Sequence, residues 1–412
     1  MNNNTLQSAF EPYTLGPITL RNRFIKAGAN ENMSYRGVPT AAMLRHHVEL
    51  AEGGVGMSTM AYIAVEKTGR TLKDQIWLHP EAVTELKAVT DAVHAAGGKI
   101  AAQITHGGSF VTGVFVPRRL LSSMSGFNAA GLLRGNVLRR AMNEADMDRM
   151  VDLFVRGAEQ CVEAGFDAVE IHMGHGYLLN QFLSPLDNRR SDQYGGNAEN
   201  RARFPVRVLK AVKAAVGDRI AVMAKINVDD GRRRGAHVED AIVTAKLLEQ
   251  AGADMLVLSG GRNVESNWFT FGSNMNLEAI LRVLGKWTIN GIAIAATAKT
   301  APKVTFKEMY FWEYSTQIRA AVSMPLGYLG GVKSTANVEQ AMAAGFDAIV
   351  LARALLREPD LIQQWQQQPE HAALCDNCNS CVAYIYHPAG TWCIHRPANN
   401  LEDNRIPASS VG

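Results

Sequence analysis

The stretch VEIHMGHGYL, residues 169–178, ends an apolar run in two histidines, His172 and His175, followed by Tyr177. Imidazole N–H groups can hold an oxygen on which negative charge develops, and a phenol can deliver a proton. Two other readings compete. The histidines could ligate zinc, although no acidic or third histidine ligand sits at suitable spacing nearby. They could also be satisfied core histidines, and Tyr177 a buried structural tyrosine with its own partner. More polar side chains appear on strand-like runs. Gln103 ends "IAAQ" and Lys225 lies in "AVMAKIN", both on the face shared by every second residue. A lysine is rarely buried without a partner, so Lys225 points to a bound anion or electron-rich ligand. Further on, Gly330 and Gly331 in "YLGGVKST" and Arg353 in "VLARALLREP" each precede a helical pattern. A glycine pair with an arginine at such helix starts suits a phosphate. Four of the five cysteines fall at Cys375, Cys378, Cys381 and Cys393, spaced C-x2-C-x2-C-x11-C. That spacing can close on one metal centre, and both iron–sulfur and zinc fit it.

These residues need a scaffold that brings strand ends together. Eight apolar runs alternate with amphipathic helical stretches: 24–27, 55–60, 99–103, 168–172, 221–227, 255–259, 326–329 and 348–351. Near-copies such as "EAGFDAVEI", "QAGADMLVL" and "AAGFDAIVL" mark helix–glycine–strand junctions. Eight such units predict an α/β (β/α)8 TIM barrel, with an open doubly wound sheet as the alternative. In a barrel the C-terminal strand ends converge, so Gln103, His172 and Lys225 would face one site. "FEPYTLGPITL" reads as an N-terminal hairpin plugging the barrel floor. Residues 107–143 and the aromatic insertion 260–322 fall on the catalytic side. There they either shape the substrate pocket or pack on the barrel or against a second copy, which leaves a homo-oligomer open. The expected division is a barrel over 1–365 and a cysteine-rich C-terminal extension over 366–412.

Bulk properties narrow the class. Of 412 residues, 47% are hydrophobic and 20% charged, with 42 Lys+Arg against 39 Asp+Glu. No basic run supports nucleic-acid binding. No apolar run reaches the ~18 residues of a membrane span. The opening MNNNTLQSAF has no basic or apolar leader segment, so a cytoplasmic protein with reduced thiols is expected.

With those residues in place, the chain resembles the old yellow enzyme family of FMN-dependent oxidoreductases. The resemblance is carried by "LRNRFIKAG", "GGVGMS", "AAQITHGG", "GFDAVEIHMGHGYLLNQFLSPLDNRRSDQYGGNAENRARF", "GGVKSTANVEQAMAAGFDAIVLARALLREP" and "CDNCNSC". It implies FMN as cofactor, NAD(P)H as co-substrate and a small α,β-unsaturated carbonyl as hydride acceptor. It further implies that Ala27 and Gly28 lie against the isoalloxazine and that Gln103 bonds its pyrimidine edge. Gly330, Gly331, Ala352 and Arg353 would surround the phosphate. His172 and His175 would hold the substrate carbonyl, and Tyr177 would donate the proton. Lys225 stands where many members have arginine, offering a point charge rather than a fork. Gly28-Ala29 replaces a common Pro-Met pair. No cysteine lies within 24–34, so FMN is expected to be non-covalent.

"CDNCNSC" resembles the cluster loop of the dienoyl-CoA reductase and trimethylamine dehydrogenase branch, which favours a [4Fe–4S] cluster over zinc. The chain stops soon after Cys393, so the extra nucleotide-binding domains of that branch are expected to be missing. Two alternatives therefore stand beside the ene-reductase: an iron–sulfur flavoprotein dehydrogenase, and a non-redox barrel using Lys225 as Schiff-base nucleophile.

Overall fold

A computed structural model describes residues 3–111, 120–128, 136–286 and 288–411. Eight parallel strands close into a barrel: β1 (Phe24–Lys26), β2 (Met57–Ala64), β3 (Lys99–Thr105), β4 (Ala168–Met173), β5 (Ala221–Asn227), β6 (Met255–Ser259), β7 (Leu326–Leu329) and β8 (Ala348–Leu351). The expected barrel is therefore present, and β5 to β8 have the bounds expected from their alternation. β2 runs on to Ala64, past the expected end at 60. A register shift between Met60 and Ile63 breaks the period of two there, which hid the last part of the strand.

Alternation decides what the barrel holds. Ala168, Ala221, Met223, Met255, Val257 and Ala348 face inward with Ala101 and Met57. Their neighbours Val169, Ile171, Val222, Leu256 and Leu258 pack outward against the helices. The small inner residues leave room for Leu15 and Leu20 of the antiparallel hairpin Tyr13–Leu15/Ile18–Leu20, which fills the floor. Long helices cover the outside, among them α1 (Ala41–Glu52), α2 (Pro80–Ala95), α3 (Glu144–Glu163) and α4 (Ala198–Val216). Asn143 caps α3 in a capping box with Asp146. No helix among the described residues is long and apolar enough to cross a membrane.

The insertion after β6 forms short helices, including Asn267–Phe271 and Leu277–Leu284. Within the 107–143 loop, residues 112–119 and 129–135 lie outside the described residues. Residues beyond 366 wrap back over the barrel. Ala41 N–H donates to Ile406 O at 2.9 Å, and Thr391 N–H donates to Glu31 O at 2.8 Å. This segment therefore forms part of the cavity wall.

Candidate active site

One elongated cavity opens at the C-terminal ends of the strands. Lys225, His172, His175 and Tyr62 line one end; Gly330, Gly331, Lys333 and Arg353 line the other. Ala27, Gly28 and Ala352 form the wall between them, and Cys375 and Cys381 enter from the C-terminal segment.

Lys225 is 1% exposed and stands beside His172 in the β4–β5 register. The sequence pointed to a bound anion for it, but the chain supplies its own. Lys225 Nζ lies 2.9 Å from Glu170 Oε1 and donates to Gly28 O at 3.2 Å. Lys225 Nζ is thus engaged by a carboxylate and a backbone carbonyl, whereas a Schiff-base nucleophile needs a free amine. The lyase reading built on Lys225 therefore falls.

Gln103 is fully buried. Its Nε2 donates to Glu170 Oε1, and its own Oε1 has no partner. It does not line the cavity, because the Gly28 backbone covers it. A Cβ on Gly28 would come within 2.6 Å of Gln103 Nε2, so any larger residue there would have to push Gln103 aside.

The two histidines meet at the same end of the cavity. His172 Nδ1 accepts from Gly174 N–H at 3.2 Å, which puts the proton of a neutral ring on Nε2. That nitrogen lies 3.2 Å from His175 Nδ1, and His175 Nε2 lies 2.8 Å from Ser259 Oγ. Burial pushes the His175 pKa down to about 3, with Lys225 adding to the shift. Burial, His175 and Lys225 hold His172 well below its ordinary value. Both rings are therefore neutral donors at pH 7.

His175 sits at φ 59 and Gly176 at φ 88, so the chain turns sharply after β4. The turn carries Tyr177 to the start of the helix Leu178–Leu183, with its ring 4.6 Å from that of His172. Tyr62 lines the cavity beside it. Tyr62 and Ser259 escaped the sequence reading. Extending the alternation of β2 across its bulge would have found the first.

At the far end Gly330 and Gly331 have φ of 138 and 83, conformations that favour glycine. Arg353 Nη2 donates to Phe271 O at 2.8 Å, and Nη1 donates to Asn379 Oδ1. Lys333 adds a second cation that the sequence reading missed. A glycine-lined turn beside two cations suits a phosphate. Lys225 lies at the other end of the cavity, with Gln103 behind the Gly28 backbone.

The cysteine loop turns through Asn377 and Asn379, at φ 58 and 57. Burial pushes the Cys381 thiol up to about 12, and burial also raises Cys375 and Cys393. Among the described residues, one trio of metal-ligating atoms lies within 4.8 Å of one another: Asp376, Cys378 and His395.

Comparisons with known proteins agree with this geometry. A sequence model of the NADH:flavin oxidoreductase / NADH oxidase family matches residues 8–270, and one of dihydrouridine synthase matches 157–387. The chain is 38% identical over 394 residues to 4,4'-dithiodibutanoate disulfide reductase of Rhodococcus erythropolis, covering 95% of this chain and 96% of that protein. It is 28% identical to NADPH dehydrogenase of Bacillus licheniformis, over 85% of this chain and 91% of that one. The structure of a 2-naphthoyl-CoA reductase complex superposes with a TM-score of 0.80 at 20% identity, covering 97% of this chain. The chain spans little more than half of that larger protein, 58% of its length. With the closed barrel, the glycine and cation end of the cavity and the family match across most of the chain, this protein belongs to the old yellow enzyme family of FMN-dependent NAD(P)H oxidoreductases.

Proposed function

We propose that the chain passes hydride from NAD(P)H, through FMN, to the activated C=C of a small α,β-unsaturated carbonyl compound. The observation that carries this reading is the pair of neutral histidines beside a tyrosine pair, over the same cavity that ends in the phosphate cradle. FMN, when bound, supplies the hydride chemistry. We assign Ala27, Gly28, Gln103 and Lys225 to its ring, and Gly330, Gly331, Ala352 and Arg353 to its phosphate. Lys225 offsets the negative charge that a reduced ring carries. His172 and His175 exchange their mutual hydrogen bond for the substrate carbonyl oxygen, and loss of one such donor costs ~3–4 kcal/mol. Tyr177 gives the proton to the α-carbon; its ring lies 4.6 Å from that of His172, and its hydroxyl is hydrogen-bonded to the Tyr62 hydroxyl.

We assign Cys375, Cys378, Cys381 and Cys393 to a [4Fe–4S] cluster, which would add one-electron transfer; zinc is the alternative. Among the described residues no three of these thiols lie within 4.8 Å of one another. A zinc tetrahedron draws its sulfurs to about 3.8 Å, given Zn–S bonds of about 2.3 Å. A cube of four irons holds them further apart. Such thiolates and a nicotinamide supply both suit the cytoplasm, where we place the enzyme.

A second reading has specific support. A relative that the chain matches over 95% of its own length and 96% of that protein's is a disulfide reductase. An S–S bond also accepts a hydride, and one leaving thiolate would then take the proton. One anaerobic experiment separates the two. NADH or NADPH should bleach the flavin of the purified protein. Recolouring by an enone supports the first reading, and recolouring by 4,4'-dithiodibutanoate alone replaces it with the second. A flavin that neither nucleotide bleaches refutes both.

A further inference from the structure

We propose that Ser259 is a positioning residue that lets His175 move its ring proton to the nitrogen facing the substrate. Its hydroxyl accepts from the ring before substrate binds and donates to it afterwards. This rests on the ene-reductase reading above.

Ser259 ends β6, is 1% exposed and lines the cavity. Each histidine has one nitrogen engaged away from the other ring. His172 Nδ1 accepts from Gly174 N–H, and His175 Nε2 lies 2.8 Å from Ser259 Oγ. His172 Nε2 and His175 Nδ1, 3.2 Å apart, are the pair left for a substrate oxygen. Two N–H groups do not face each other stably at that distance. Before substrate binds, His172 Nε2–H therefore donates to His175 Nδ1, and the His175 proton sits on Nε2 and is donated to Ser259 Oγ. A carbonyl oxygen that takes N–H from both rings needs the opposite tautomer of His175. Its Nε2 is then a buried acceptor that needs a donor. A hydroxyl can turn to supply one. A carboxylate or carbonyl in its place could only accept, and would pin the proton on Nε2.

The ring itself is held still. His175 N–H donates to Asn227 Oδ1 at 3.1 Å, and His175 O accepts from Asn263 N–H at 3.2 Å. Asn227 is the register partner of Ser259, so two adjoining strand ends grip the backbone and the ring of one residue. Burial keeps that ring neutral at pH 7, so its proton changes place without leaving it charged. The protons balance. Solvent gives one to Nδ1, and Nε2 passes its own to Ser259 Oγ as that hydroxyl releases one to solvent.

¹⁵N NMR of protein labelled in histidine reads the tautomer, with His175→Gln assigning the resonances. In the ligand-free protein His175 should carry its proton on Nε2. With para-chlorophenol, whose oxygen stands in for the enolate, the proton should be on Nδ1. A proton that stays on Nε2 in the phenol complex overturns the proposal, as does one already on Nδ1 without it. Ser259→Ala should bind the phenol about 10-fold or more weakly, as a buried acceptor without a partner requires. It should lose a similar factor in kcat/KM for an enone. Ser259→Thr, which keeps the hydroxyl, should restore both. Unchanged phenol affinity in Ser259→Ala, or a threonine variant no better than alanine, overturns the role. A parent protein that binds no phenol refutes the histidines as an oxygen site and this role with them. A parent protein that shows the tautomer change, but whose reduced flavin no enone reoxidises, supports this role and refutes the ene-reductase reading alone.

Discussion

Glu170 accepts a hydrogen bond from Gln103 on one side and balances Lys225 on the other, with all three buried. Burying two charges is costly, and removing one partner leaves the other uncompensated. Glu170→Gln should therefore destabilise the fold by about 3–5 kcal/mol, read as a lower urea midpoint. Combining Glu170→Leu with Lys225→Met should restore most of that midpoint, while flavin binding stays impaired. A double variant as unstable as Glu170→Gln would show that packing, not charge, is at stake. The need for a partner at Lys225 was legible from its place in an apolar strand. The identity of the partner was not, because Glu170 lies on the neighbouring strand and only the β4–β5 register unites them. Tyr177 was legible as a tyrosine near a strand end. Its depth was not, because a left-handed His175 and a glycine turn redirect the chain.

At the scale of elements, alternation specified the eight strands well, and β2 departed where a bulge shifts its register. The cysteine loop follows different rules. Its contacts are single side chains reaching far along the chain, such as Asn379 Nδ2 donating to Ser273 Oγ at 2.9 Å and Arg353 donating to Asn379. Spacing revealed the four thiols, but nothing periodic revealed that Cys375 and Cys381 face the flavin cavity. Anaerobically purified protein should contain iron and acid-labile sulfide in roughly equal amounts, as a [4Fe–4S] cluster requires. Cys378→Ser should lose both. Zinc without sulfide would reverse the assignment, and no metal in either protein would leave the loop as four reduced cysteines.

At the scale of the whole molecule, four histidines are held as neutral rings: His46, His47, His172 and His175. Burial pushes His46 down to about 3, with Lys26 and Arg396 adding to it; burial, with Lys26 and His46 adding to it, holds His47 well below its ordinary value. In the unfolded chain each would titrate near 6.5. Below that pH the unfolded state takes up protons that the folded state refuses, so stability is full above about 6.5 and falls as pH drops toward 3. Each ring contributes a slope of up to about 1.4 kcal/mol per pH unit in that window. The urea midpoint should fall steeply from pH 7 to pH 5, and His46→Asn should flatten the fall by about a quarter. A midpoint unchanged down to pH 5 would mean that these rings gain protons without unfolding the barrel.

The C-terminal segment also fixes an order of events in synthesis. Barrel strands from β1 to β8 leave the ribosome first, and domains form from the N-terminus as the chain grows. Yet Cys375, Cys381 and Thr391 belong to the same cavity as Lys225 and Gly330. A nascent barrel therefore presents its flavin cleft with one side missing. Retention of the cofactor is then one of the last steps of biogenesis, completed when residues 375–391 fold back across the mouth.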